Sequence, residues 1–247
     1  MSGNPRVALI TGGCRGVGYY IGKELLKNIP ALTCYMTSRE RIAGHEVLLG
    51  MELGAAARTR AKFINLDIRS FDQIEAVKNE ICKTHGGLDI LINNASIYRP
   101  PDYNLENFSA DVEQIMQTNY WGNKKMITAF WHFYNQDSRI VNITSHLAHV
   151  MTRVSSEEEQ RKKLSRRRFG DAKSMTELDN LVMKFQRDAD AGKSQQEGWP
   201  TCAYSVSKMA INTYTRLLQV LRDTVTQLLY TLIRRSWTRT QRRGTWW

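Results

Sequence analysis

The amino-acid sequence predicts an α/β protein whose core is a doubly wound parallel sheet. Short apolar runs rich in β-branched residues alternate with segments of helical periodicity along most of the 247 residues, which is the pattern of repeated βαβ units. A turn rich in glycine follows the first apolar run, Val7–Ile10. A chain of this length can bury the core of one large α/β domain.

Five strands and five helices are predicted along the chain. The strands are Val7–Thr11, Leu32–Thr37, Lys62–Leu66, Leu88–Asn93 and Ile140–Thr144, and the helices are Gly16–Asn28, Arg39–Leu53, Ser70–His85, Asn107–Tyr134 and Tyr204–Leu221. The second helix follows Thr37 and Ser38, whose hydroxyls suit an N-cap. The fourth helix has apolar residues at the spacing of one helix face, which we expect to be buried: Phe108, Val112, Ile115 and Met116. We expect its aromatic residues to lie in the core as well: Tyr120, Trp121, Phe130 and Trp131.

Residues 153–197 interrupt this alternation with a highly charged stretch of eleven Lys or Arg and nine Asp or Glu. Apolar residues nevertheless recur there at helical spacing, namely Leu178, Leu181, Val182 and Phe185, so we predict an amphipathic helical insertion. Its KKLSRRR segment has the composition of a nuclear-import or nucleic-acid patch, and also that of a solvated helix face beside Glu157–Glu159.

The composition is that of an ordinary globular protein, with 42% hydrophobic and 24% charged residues. No apolar run reaches the length of a membrane span, and only six residues precede the first strand, so we expect a cytoplasmic protein without a signal peptide. The four cysteines are scattered and lack metal-ligand spacing, which favours reduced thiols and no metal site. The net charge of +11 permits binding to polyanions without requiring it.

The glycine-rich turn TGGCRGVG connects the first predicted strand to the first helix. Its glycines have the spacing G-x-x-x-G-x-G, at Gly12, Gly16 and Gly18. Such a turn can bring backbone N–H groups close to a pyrophosphate, where the positive end of the helix dipole adds to the attraction. Glycine turns also occur for purely steric reasons, so this motif alone is weak.

Several further motifs follow in a fixed order: LDI at 66–68, NNAS at 93–96, Asn119, Ser145 and YSVSK at 204–208. Together with TGGCRGVG they resemble the short-chain dehydrogenase/reductase family over about residues 6–221. The insertion and the EGWP segment at 197–200 are similar to those of its monomeric NADPH-dependent carbonyl reductases. The resemblance implies a Rossmann-like fold and the reduction of small carbonyl compounds.

The residues themselves suit carbonyl reduction. Lys208 lies four positions after Tyr204, so both side chains share a helix face. The ammonium group favours the phenolate and is expected to lower the pKa of the tyrosine, which can then protonate a carbonyl oxygen. Ser145 ends a predicted strand and can donate a hydrogen bond to the same oxygen. With His146 it is expected to contact the substrate. The resemblance gives Asn119 the role of holding a water that relays protons to Lys208.

The sequence favours NADPH over NADH. An NAD site normally has an acidic residue about 20 positions after the glycines, but no acid occurs from Ala31 through Arg39. Arg39 stands in its place and Arg15 lies inside the turn, and both can bind a 2′-phosphate. The resemblance adds Asp67 and Ile68 at the adenine, Asn94 and Ala95 at the ribose, and Tyr204 and Lys208 at the cofactor. Cys14 and Val17 complete the predicted cofactor turn.

We predict one Rossmann-like catalytic domain over residues 1–233 and an atypical basic tail over 234–247. Val225–Ile233 can form a sixth strand, but the tail has five arginines, three tryptophans and no acid, so we expect the last strand to be missing. The consequence would be an unstable, weakly active protein, and a catalytically impaired NADP-binding isoform is therefore an alternative. A polyanion-binding protein is a third hypothesis. We expect a monomer, because the insertion would cover the surface through which oligomeric relatives associate.

Overall fold

The computed structural model describes residues 5–99, 107–148, 156–221 and 226–227. Its strands are β1 (Arg6–Ile10), β2 (Leu32–Ser38), β3 (Ala61–Asn65), β4 (Leu88–Asn93), β5 (Tyr134–Asn142) and β6 (Thr226–Gln227). Its helices are α1 (Gly16–Asn28), α2 (Arg41–Gly50), α3 (Ala55–Arg58), α4 (Phe71–His85), α5 (Phe108–Met116), α6 (Asn123–Ala129), α7 (Ser156–Asp171), α8 (Met175–Asp190) and α9 (Ala203–Leu221). A π-helical turn, Gln117–Gly122, connects α5 to α6, and a 3-10 turn covers His146–Ala148.

The six strands form one sheet in the order β3-β2-β1-β4-β5-β6. Its assigned ladders are parallel, with Arg6 opposite Leu32 in β1–β2 and Ala8 opposite Ile90 in β1–β4. This order reverses direction between β1 and β4, the position at which open α/β sheets bind ligands beyond the carboxyl ends of their strands. The predicted doubly wound fold is therefore confirmed.

The described residues divide into two compact units. The first includes residues 5–96 and 121–141 with β6, and so contains nearly all of the sheet together with α1–α4 and α6. The second includes residues 97–99, 107–120, 142–148 and 156–221, and so contains α5 and α7–α9. The predicted site residues separate accordingly, because Gly12 to Ala95 lie in the first unit and Asn119 to Lys208 in the second.

One predicted helix, Asn107–Tyr134, is wrong as a continuous element. The helix ends at Met116, turns through π geometry at Gln117–Gly122, resumes as α6 and stops at Ala129. Tyr134 begins β5, six residues before the predicted strand start at Ile140. The first half of β5 is largely exposed and has no alternating apolar pattern, so periodicity did not reveal it. Tyr120 and Phe130 are fully buried, as expected, whereas Trp121 and Trp131 are only half-buried.

The insertion folds as the two helices α7 and α8, which confirms its predicted helical character. The apolar stripe of α8 is buried, with Leu178, Val182 and Phe185 each 0% exposed, and α8 packs against α5 and α9. On α7, Lys163 pairs with Glu159 and Arg167 with Asp171. These pairs favour the solvated helix face over a nucleic-acid patch for KKLSRRR, although Lys162 is buried.

Of the predicted sixth strand, Val225–Ile233, the described residues are Thr226 and Gln227, which form β6 and pair in parallel with Arg139 and Ile140 of β5. The expectation of a missing last strand refers to residues 228–247, which lie outside the described residues. In the part of the chain that is described, no helix is long and apolar enough to cross a bilayer. All four cysteines are free thiols.

Candidate active site

The glycine turn lies at the carboxyl end of β1, in the first unit. Gly12 and Gly16 have positive φ values of 62° and 53°, which side chains rarely adopt. A Cβ on Gly18 would lie 2.5 Å from Asn94 Nδ2, whereas a Cβ on Gly16 would meet nothing within 4 Å. The third glycine of the motif is thus required by packing, and the second leaves open space at the start of α1.

Thr11, which the sequence reasoning missed, joins this turn to the loop after β4. Its Oγ1 accepts hydrogen bonds of 3.0 Å from the backbone N–H groups of both Asn94 and Ala95. Asn94 Nδ2 donates in return to the carbonyls of Thr11 (3.0 Å) and Gly12 (2.9 Å). Asn94 therefore fixes the two loops to each other. Thr11 is the first residue of the glycine motif, so its position could have suggested this role.

The turn suits the phosphate groups of a dinucleotide. Arg15 is the N-cap of α1 but makes no side-chain cap hydrogen bond, and the first turn of this helix has no acidic residue. The positive end of the α1 dipole is therefore not neutralised by its own residues. Arg15 and Arg39 are exposed, and within the described residues neither guanidinium forms an ion pair with a carboxylate. These features fit a bound pyrophosphate and ribose phosphate.

The remaining residues predicted at the cofactor differ in their surroundings. Val17 is exposed and Ile68 is buried. Burial raises the pKa of the Cys14 thiol to about 11, so this residue is a neutral filler in the turn. Asp67 is bound by Arg69, whose guanidinium donates to its carboxylate at 2.6 Å. The hydrogen bond from Arg69 lowers the pKa of Asp67, which keeps it an anion.

The second unit contains the YSVSK segment on α9. Tyr204 is half-buried and Lys208 is only 2% exposed. The Lys208 ammonium lies 5.4 Å from the centroid of the Tyr204 ring and donates a 2.8 Å hydrogen bond to the Ile143 carbonyl. Burial lowers the pKa of Lys208 to about 8. The predicted pair of a tyrosine and a lysine on one helix face is present.

Ser145 is buried in the loop between β5 and the 3-10 turn. Its Oγ accepts a 3.2 Å hydrogen bond from the backbone N–H of Leu147, which leaves the hydroxyl proton available to another acceptor. The 3-10 turn packs against α9. His146 is half-buried, and its Nδ1 has no hydrogen-bond partner among the described residues.

Asn119 lies on the π-helical turn and is fully buried. Its Oδ1 accepts from Ile97 N (2.8 Å), while its Nδ2 donates to Ile97 O (2.9 Å) and to Ser207 Oγ (3.0 Å). Ser207 donates in turn to the Tyr204 carbonyl at 2.7 Å. Both N–H donors of its side-chain amide are used in these bonds, so the Asn119 side chain has no N–H group left to donate to a relay water. Ser207, inside YSVSK, was missed by the sequence reasoning.

Tyr98 is a second aromatic residue beside Tyr204. The two rings meet edge to face with centroids 5.0 Å apart, and Tyr98 is 55% exposed. Burial raises the pKa of Tyr98, and the nearby Cys202 adds to this shift. The sequence reasoning did not single out Tyr98, and only its place two positions after NNAS could have suggested it.

Comparison with known proteins identifies the family. A family model described as short chain dehydrogenase matches residues 6–156. The chain belongs to this family. Its members are oxidoreductases that use NAD or NADP. Human carbonyl reductase (NADPH) 1 is 30% identical over 218 residues, which are 88% of this chain and 75% of the human protein. Mouse carbonyl reductase (NADPH) 3 is 29% identical over 219 residues, with the same shares covered.

Solved structures of this dehydrogenase family confirm the fold. Menthone neomenthol reductase from Mentha piperita has a TM-score of 0.78 and 24% identity, with 93% of this chain and 90% of the other covered. Salutaridine reductase from Papaver somniferum has a TM-score of 0.75 and 22% identity, with 90% and 84% covered. At these identities the likeness is one of fold alone.

Proposed function

We propose that this short-chain dehydrogenase reduces aldehydes, ketones or quinones with NADPH. The single observation that supports the chemistry best is the buried Lys208 ammonium beside Tyr204 on α9. It has no carboxylate partner among the described residues, and burying a cation in this way is costly. Ionisable groups held in such an unfavourable environment are commonly found at functional sites. The similarity to carbonyl reductases named for NADPH supports the substrate class and the cofactor.

Each residue has a distinct task in the proposed reaction. When bound, the cofactor supplies the hydride that reaches the carbonyl carbon. Tyr204 donates its phenolic proton to the carbonyl oxygen, and the Lys208 ammonium stabilises the resulting phenolate. Ser145 donates a hydrogen bond to the same oxygen as negative charge develops there. Asn119 holds Ser207 and thereby the backbone of Tyr204.

The first unit is proposed to hold the cofactor. The N–H groups at the start of α1 bind the pyrophosphate, and the guanidinium groups of Arg15 and Arg39 bind the 2′-phosphate. Asp67, Ile68, Asn94 and Ala95 are proposed to contact the adenosine half. Titration with NADPH and with NADH, followed by fluorescence of the bound nicotinamide, tests this half without any carbonyl substrate. Consumption of NADPH with a quinone or an aldehyde then tests the reaction.

Replacing Arg39 with aspartate is expected to move cofactor preference from NADPH towards NADH. The variant loses a charge-assisted hydrogen bond to the 2′-phosphate and gains a carboxylate that can accept from the ribose hydroxyls. A charge-assisted bond contributes about 1.5–3 kcal/mol, so the ratio of kcat/KM for NADPH over NADH is expected to fall by about 10–100-fold. An unchanged ratio would show that Arg39 does not contact the 2′-phosphate.

A matched control for this change is Lys83→Asp. Lys83 is exposed and lies in the last turn of α4, and its replacement changes the net charge by the same amount as Arg39→Asp. The control is expected to leave the cofactor ratio unchanged. If both variants shift the ratio equally, the effect comes from total charge and not from Arg39.

We also propose that the protein is a monomer. The insertion helices α7 and α8 pack against α9, and α8 also packs against α5. The chain itself therefore covers α5 and α9. Light scattering over a range of concentrations is expected to give the mass of one chain, 28.5 kDa. A dimer that persists on dilution would contradict the proposal.

Two other functions receive less support. The hypothesis of an impaired isoform depends on residues 228–247, which lie outside the described part of the chain. The similarity to the dehydrogenase family does not favour it. Polyanion binding through α7 is disfavoured by the ion pairs that its basic residues make with acids on the same helix. Retention on a heparin column, followed by elution at high salt concentration, would favour polyanion binding.

A further inference from the structure

The insertion helices α7 and α8 make hydrogen bonds that are not needed for their packing against α9. Three carboxylates on its helices accept hydrogen bonds from groups that lie within five positions of proposed catalytic residues in the sequence. They are Asp179 and Asp188 of α8 and Glu158 of α7. Their donors are Tyr120, Trp199 and the backbone of Thr201. We refer to these as the three insertion hydrogen bonds.

The first of them is next to Asn119. Tyr120 directly follows Asn119 on the π-helical turn and is fully buried. Its hydroxyl donates to Asp179 Oδ1 at 2.7 Å. Burial, together with the hydrogen bond to Asp179, raises the pKa of Tyr120, so the phenol remains a donor at all ordinary pH values. The backbone of the turn is therefore tied to α8 at the residue beside Asn119.

The second bond holds the loop that leads into α9. Trp199 is 0% exposed, and its Nε1 donates to Asp188 Oδ2 at 2.6 Å. The same carboxylate oxygen accepts from Lys184 at 2.7 Å. Phe185 lies 5.1 Å from the Trp199 ring, and the Arg168 guanidinium lies 4.9 Å from it. The indole is thus enclosed by α7 and α8 and oriented by a charge-assisted bond.

The third bond is close to Tyr204 in the sequence. Both carboxylate oxygens of Glu158 accept from the backbone N–H of Thr201, at 3.1 and 3.2 Å. Glu158 is only 6% exposed, and Arg161 Nε donates to it at 3.2 Å. Thr201 lies two residues before the start of α9, of which Tyr204 is the second residue. A buried anion at this position also complements the positive end of the α9 dipole.

We infer that the insertion positions the catalytic residues of its own chain, with Glu158, Asp179 and Asp188 as positioning residues for Tyr204 and Asn119. The inference rests on the proposed function, because it assigns the insertion a part in that reaction. A displacement of about 1 Å at a reacting group can lower a rate by about 100-fold. Carboxylates with fixed partners, one of them buried (Glu158) and two half-buried (Asp179 and Asp188), resist such displacement, since leaving either partner unpaired is costly.

Two conservative variants test the inference. Trp199→Phe keeps an aromatic ring among Phe169 and Phe185 but removes the N–H donor, and Glu158→Gln keeps the side-chain size but removes the charge. We expect each to lower kcat by about 10–100-fold, with the dissociation constant for NADPH within about twofold of the native value. The matched control is Glu159→Gln, because Glu159 neighbours Glu158 on α7 but pairs with the exposed Lys163 of the same helix. It is expected to retain native kcat.

A second measurement does not depend on turnover. Hydrogen exchange followed by mass spectrometry is expected to show faster exchange in the peptide 199–208 of both variants, and not in Glu159→Gln or in residues 5–96. If the native protein reduces no carbonyl compound, the proposed function fails while this exchange pattern still tests positioning. Unchanged exchange in the peptide overturns the inference. So does faster exchange throughout the chain with weaker NADPH binding, because that pattern indicates a general loss of stability.

Discussion

Replacing Tyr204 with phenylalanine is expected to remove most carbonyl reduction while NADPH affinity stays nearly unchanged. The variant keeps the ring against which Tyr98 packs and loses only the hydroxyl that donates the proton. General acid catalysis contributes about 10²–10⁴-fold to such steps, so kcat is expected to fall by that factor. Cofactor affinity is expected to be within about twofold of native, because the glycine turn and the two arginines bind the phosphate groups of the cofactor.

Tyr98→Phe is the control for this experiment. It removes the same hydroxyl group from a tyrosine whose ring centroid lies 5.0 Å from that of Tyr204. We expect it to retain turnover within a few-fold of native, because the proposal gives the Tyr98 hydroxyl no proton to transfer. If Tyr204→Phe keeps most of its turnover, Tyr204 is not the proton donor. If both variants lose activity equally, the two hydroxyls cannot be assigned different roles.

Lys208→Met is expected to abolish reduction and weaken NADPH binding, yet to stabilise the fold at neutral pH. Burial lowers the pKa of Lys208 from 10.5 to about 8, so the charged form costs about 3 kcal/mol of stability. Methionine removes this cost but leaves the Ile143 carbonyl without its lysine donor, which offsets part of the gain. The free energy of unfolding of the cofactor-free protein is expected to rise by about 1–2 kcal/mol at about pH 7.

The pH dependence of this difference identifies its cause. Between pH 8 and 10.5 the unfolded chain holds the Lys208 proton and the folded chain does not, so the stability of the native protein rises with pH across this window. Lys208→Met lacks this contribution, whereas other titrating groups affect both proteins alike. Urea unfolding at about pH 7 and about pH 10 is expected to show the advantage of the variant shrinking or reversing. A constant difference would mean that Lys208 is not a buried cation.

Some elements were predicted closely because local patterns dictate them. α1 and β4 have the bounds predicted from sequence, since a glycine turn marks the start of α1 and β4 is a largely buried strand of mostly apolar residues. The break between α5 and α6 was not predicted. A side chain on Gly122 would lie 2.8 Å from Ile68 Cγ1, and this close approach involves a residue more than fifty positions away. Helical periodicity contains no information about such contacts.

The sequence by itself determined the doubly wound fold class, the glycine turn and the placement of Tyr204 and Lys208 on one helix face, because strand alternation and motif spacing are local properties of the chain. Only the tertiary structure decided that Lys208 is buried and bonded to the Ile143 carbonyl, and that the Asn119 amide is used by Ile97 and Ser207. It also decided that carboxylates of the insertion hold Tyr120 and Trp199. Burial and hydrogen-bond partners depend on residues distant in sequence, which packing alone brings together.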